Sequence, residues 1–163
     1  MSKIRLLPLL ILLLCLGCQE SELADPAILD KLQGSWINTR QQSLYYDASG
    51  NLLYEQTQEP QGIIYRFKDK SLYIVFDSTL LTTDSTTYQK QLRGMSFQLT
   101  KVNNLTRITF IQSSSTASTI IRSISNDAMV WEDAYKDQSY KPDSTDRQPA
   151  DHLVVRQEFT RRP

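Results

Sequence analysis

Histidine, cysteine and glycine are scarce in this chain: one, two and five among 163 residues. A lone histidine, His152, excludes a multi-histidine metal site and leaves one place for an Asp–His acid–base pair. The few glycines form no phosphate-cradling loop, and no nucleophile elbow is present. Both cysteines, Cys15 and Cys18, fall near the N-terminus. The remainder of the chain therefore has no thiol for a disulfide, a Cys-ligated metal or a nucleophile. Charge carries no bias either, since 18 basic and 18 acidic residues cancel. That balance argues against nucleic acid as a partner and against an electrostatic membrane patch. Adjacent carboxylates such as Glu132 and Asp133 would point to opposite faces of a strand. These absences predict a protein without metal, cofactor or enzymatic activity. A hydrolase would need His152 beside an acidic group in a pocket.

Apolar runs are short apart from Leu6 to Leu16. As a helix that run is about 16 Å long, half of the roughly 30 Å hydrocarbon core of a bilayer. It is too short for a permanent span. Lys3 and Arg5 precede it and Leu16-Gly17-Cys18 follows, which is the order of a secretory signal. The last three positions resemble the lipobox of bacterial lipoproteins, in which the cysteine is acylated and becomes the new N-terminus. The resemblance implies a signal peptide over 1–17, lipid attachment at Cys18 and a membrane held through acyl chains. Gln19, where inner-membrane lipoproteins typically carry aspartate, implies delivery to the outer membrane. Glu20-Ser21-Glu22 resembles a tag that sends some lipoproteins to the cell exterior, and both faces of that membrane stay open.

A polar tether follows over 18–24, and the folded domain is expected over 25–163. Asp25 can cap a helix with Pro26 at its first position, and Gly34 lies just past the apolar pattern of Ile28, Leu29 and Leu32. From Trp36 onward the apolar period changes to two. Ile63, Tyr65 and Phe67 alternate with Ile64, Arg66 and Lys68, and Met95, Phe97 and Leu99 alternate with Ser96, Gln98 and Thr100. Leu153, Val155, Gln157 and Phe159 share one face. Turn residues at Asp47 to Asn51, Glu59 to Gly62, Lys68 to Lys70, Asn103-Asn104 and Asn126-Asp127 separate about ten strand candidates. Short strands without intervening amphipathic helices predict an all-β, antiparallel up-and-down barrel of about 8 to 10 strands, with a β-sandwich as the alternative.

Leu32-Gln33-Gly34-Ser35-Trp36 resembles the Gly-x-Trp opening of the lipocalin superfamily, where a short helix precedes the first strand and the tryptophan plugs one end of the barrel. Ile121 to Glu132 resembles the late hairpin of small bacterial lipocalin-like domains. The resemblance implies a structural role for Gly34 and Trp36, with Arg156 or Arg161 stacked on the Trp36 ring.

An eight-stranded barrel is either filled by side chains or holds one small ligand. A hollow barrel would be lined by Tyr65, Phe67, Met95, Phe97 and Trp131, and would suit a small apolar or amphipathic molecule. A filled one would act as an interaction or assembly module for an envelope protein partner. Ser113 to Ser118 is expected to be a hairpin loop. Asp133 to Asp151 is expected to be a long loop carrying Tyr135 and Tyr140, free to contact a partner or cover the barrel mouth.

Overall fold

The computed structural model describes residues 22–23, 25–77, 89–142 and 146–163. The expected signal peptide and Cys18 lie outside these residues. Asp25 accepts a hydrogen bond from the Ala27 amide at 2.9 Å, and Pro26 opens helix α1, Pro26–Leu32. This is the capping that the sequence predicts, because proline lacks the amide that the first turn would leave unpaired.

The strands, in chain order, are β1 (Glu22–Leu23), β2 (Gly34–Tyr46), β3 (Leu52–Gln58), β4 (Ile63–Lys68), β5 (Ser71–Asp77), β6 (Gln89–Val102), β7 (Leu105–Ile111), β8 (Thr116–Ile124), β9 (Ala128–Tyr140) and β10 (Gln148–Arg162). Every neighbouring pair is antiparallel, from β2–β4 through β9–β10 and back from β10 to β2. The β6–β7 pairing joins the two halves of the path into one ring. The result is a closed eight-stranded, lipocalin-like barrel. That continuous ring excludes the β-sandwich, which would require an interrupted path. β3 pairs with the far half of β2, Gln41 to Tyr46, and so lies outside the ring.

The described turns of this meander fall where the sequence carries turn chemistry. Asp69, Asn103 and Asn104 adopt positive φ of 54°, 51° and 63°, a conformation Asn and Asp tolerate better than other side chains. The Asp47 carboxylate accepts from the Asn51 side-chain amide at 2.9 Å and from the backbone amides of Asn51 and Ser49 at 2.8 and 2.9 Å, and these bonds hold it below the usual carboxylate range.

The expected loop over 133–151 is mostly strand. β9 continues to Tyr140 and β10 begins at Gln148, with Leu153 opposite Tyr135 and Ala150 opposite Gln138. Polar side chains masked this region, because it extends past the core and needs no apolar alternation. A positive φ at Asp137 of 51° marks a local irregularity there. Tyr140 stacks on Tyr54 at 5.1 Å and packs at 5.3 Å against Tyr45, so it belongs to the sheet.

One end of the barrel is closed by α1. Leu32 and Trp36 have no exposed surface, and the Trp36 indole donates to the Leu32 carbonyl at 2.8 Å. Arg161, and not Arg156, lies over the Trp36 ring at 4.4 Å. Its guanidinium also donates to the carbonyls of Lys31, Gln33 and Asn126. Gln33 ties the helix to the β4–β5 turn, donating to the Asp69 carbonyl at 3.1 Å and accepting its amide at 2.7 Å.

Gly34 explains itself in this setting. Its φ is 109°, and a Cβ there would stand 2.8 Å from the Arg161 guanidinium. Gly34→Ala is expected to cost about 1 to 3 kcal/mol, through backbone strain and displacement of Arg161. Chemical denaturation measures it.

The interior above this plug is densely aromatic. Phe67 and Phe97 meet edge to face at 5.5 Å, and Leu72, Ile108, Ile121, Met129 and Phe159 complete the cluster. Ile64, expected on the wet face of its strand, is fully buried opposite Val75 on the outer side of the wall. Nearby on that side, the fully buried Asp77 pairs with Arg162. Strand alternation alone did not reveal this second apolar patch.

Candidate functional site

The filled half of the barrel does not reach the other end. Above it lies a cavity of about 230 Å³, lined by Tyr65, Leu72, Ile74, Arg93, Met95, Phe110, Gln112, Ser115, Ala117 and Trp131. Register places these side chains together. Tyr65 faces Ile74, Ile74 faces Arg93, Leu72 faces Met95, and Phe110 faces Ala117, so β4 to β8 each contribute to one wall. Gln112 and Ser115 close the β7–β8 turn, with the Gln112 amide donating to the Ser115 carbonyl at 3.0 Å.

Trp131 forms the boundary between floor and cavity. It packs edge-on against Phe159 at 4.4 Å, Tyr65 at 5.4 Å and Phe110 at 6.1 Å. Its indole N–H donates to the Gln157 side chain, which in turn donates to Gln41 at 2.8 Å. The indole is thus held from both its apolar and its polar side, which fixes the shape of the cavity.

Of the residues expected to line a hollow barrel, Tyr65, Met95 and Trp131 stand at the cavity. Phe67 and Phe97 lie below it in the packed core, each 2 % exposed. Arg93, Leu72, Ile74, Phe110, Gln112, Ser115 and Ala117 were not anticipated. For Arg93 a signal existed: the alternation of Met95, Phe97 and Leu99 runs back to it, putting a cation on an inward-facing position. Among the described residues no carboxylate pairs with it.

On the β8–β9 side the interior turns polar. Asp133 follows Trp131 on the same face, and Glu132 points the other way to pair with Arg122. The Asp133 carboxyl is pushed above the usual carboxylate range by burial, partly offset by a hydrogen bond from Thr119. Burial likewise raises the Tyr65 phenol, with the Asn38 side chain opposing the shift and the Asp133 charge adding to it. Asn38 is 2 % exposed, and among the described residues its Oδ1 has no hydrogen-bond partner.

A carboxyl whose folded pKa exceeds its unfolded value of 3.8 favours the folded state when protonated. Stability therefore falls as pH rises from that value through the folded pKa. Asp133→Asn is expected to raise the thermal midpoint at pH 7, and the gain should vanish near pH 3. Paired melts at the two pH values check the sign.

His152 lies away from the cavity. It stacks on Tyr46 at 4.9 Å and sits 3.2 Å from the Asp151 carboxylate, with both side chains partly exposed. Among the described residues no group of three or more His, Cys, Asp or Glu side chains is placed to hold a metal ion.

Comparison of the chain with protein-family models, with curated proteins and with solved structures finds no match.

Proposed function

We propose that this is a lipid-anchored lipoprotein of the bacterial outer membrane whose barrel binds a small amphipathic molecule, without a chemical step. The anchor rests on the lipobox-like Leu16-Gly17-Cys18, while the observation that carries the binding role is the cavity itself, with an apolar floor of Leu72, Ile74, Met95, Phe110 and Trp131 under a rim bearing Arg93, Gln112 and Ser115. Such a graded lining takes an apolar body inward and leaves a polar head at the mouth. Size restricts the occupant. At about 230 Å³ the cavity is smaller than the roughly 300 to 1,000 Å³ of most small-molecule pockets. A two-chain lipid is too large, and a short-chain or single-ring compound fits.

Native mass spectrometry of the protein extracted from membranes tests this. A bound molecule with a body of about that size supports the proposal; a protein that is bare, yet retains a specific protein partner, supports an assembly module instead. Ala117 lines the cavity, so Ala117→Trp should fill it and remove the bound species. Because the indole enters existing space, the thermal midpoint should fall little.

A further inference from the structure

The cavity and the plug occupy opposite ends of the barrel. α1, the Lys68–Lys70 turn, the Asn103–Asn104 turn and the Asn126–Asp127 turn lie at the closed end, where Gln33 reaches Asp69 and Arg161 reaches Asn126. The β7–β8 turn, with Gln112 and Ser115 at the cavity, lies at the other. β1 belongs to the closed end. Glu22 pairs with Lys101 and Leu23 with Thr100, just before the turn at Asn103.

We infer that the closed end is the membrane-facing surface and that the cavity mouth points away from the bilayer, so the ligand enters from the aqueous side. This rests on the acylation of Cys18 proposed above. Cys18 is four positions before Glu22, and a chain extends at most about 3.6 Å per residue, so the acylated end lies within about 14 Å of β1. Without the β1 pairing the leash would run to Asp25 at the start of α1, about 25 Å at full extension, and would hold the closed end to the bilayer less tightly. With it, the attachment point is fixed on one rim. Charge does not draw the closed end to lipid, because the exposed Lys31, Lys68 and Lys70 alternate with the exposed Asp30, Asp69 and Asp127. The leash sets the orientation. An amphiphile dissolved in the surrounding water is then the occupant that can reach the mouth, and a bilayer lipid is not.

The test uses the mature acylated protein in phosphatidylcholine vesicles whose headgroups carry an energy-transfer acceptor. Acylation leaves Cys18 without a free thiol, so a single introduced cysteine takes the donor dye: Lys31→Cys on α1 or Ser114→Cys on the β7–β8 turn, both exposed positions. β8 has nine residues, and at about 3.3 Å each with a barrel tilt near 40° the Ser114 dye should stand roughly 20 Å farther from the headgroups. Leu23→Pro, placing proline in the two-residue strand that pairs with Thr100 and Lys101, should weaken that pairing and shrink the difference. Equal transfer from both sites in the parent protein overturns the inference. A protein that does not float with vesicles would instead overturn the anchoring on which it rests. As a second arm, hexanoate should bind the vesicle-held and detergent-held proteins within twofold. A tenfold weakening on vesicles would mean that the membrane covers the mouth, and binding to neither would count against the ligand proposal alone.

Discussion

Trp36→Ala is expected to lower stability by about 3 to 5 kcal/mol. For a chain of this size that is roughly 6 to 20 °C in the thermal midpoint. The indole is fully buried and donates to the Leu32 carbonyl at 2.8 Å. Its removal leaves a cavity under α1 and an orphaned carbonyl at the helix end. It also removes the ring beneath the Arg161 guanidinium, an attraction of about 0.5 to 2 kcal/mol. Trp36→Phe separates these contributions: it keeps most of the apolar volume, loses the N–H donor and should cost clearly less. Urea denaturation of both variants provides the comparison. A loss of under 1 kcal/mol for Trp36→Ala would mean that the plug contributes nothing to holding the barrel closed.

If the proposed acylation of Cys18 holds the protein to the outer membrane, Cys18→Ala is expected to empty it from that fraction. A single acyl chain binds a membrane only reversibly, and stable anchoring needs a second chain or another signal. No helix among the described residues is long and apolar enough to cross a membrane, and the exposed charges of the closed end are mixed. The parent protein should show the mass of an acylated N-terminal cysteine, and the variant should not. Variant protein still present in the outer-membrane fraction in parental amounts would contradict lipid anchoring.

The architecture was largely legible because its determinants are local. Asp25 and Pro26 announce the helix, and Asn103-Asn104 and Asp47 to Asn51 place turns that the backbone then adopts. Period-two alternation identified Met95, Phe97 and Leu99 as inward-facing. The site was less legible, because it depends on how far up the barrel the filling extends. Phe67 and Tyr65 look alike in the strand pattern, yet Phe67 packs on Phe97 while Tyr65 meets open space. Two residues along one strand separate core from cavity, and only the stagger between strands decides it. Asp133 shows the same limit. Its alternation with Glu132 was readable, but its inward position depends on β9 continuing past Glu132 to Tyr140, in a stretch without apolar signal.

The cavity lined by Tyr65, Arg93, Phe110, Ala117 and Trp131 is expected to hold one small amphipathic molecule. The most direct measurement is calorimetric titration of the protein with straight-chain carboxylates of increasing length, alongside the Ala117→Trp variant. Saturable binding that is strongest for short chains, weaker for long ones and absent in Ala117→Trp is the expected result, because the cavity of about 230 Å³ is small for a ligand pocket. Affinity that keeps rising with chain length, or that survives Ala117→Trp, would contradict it.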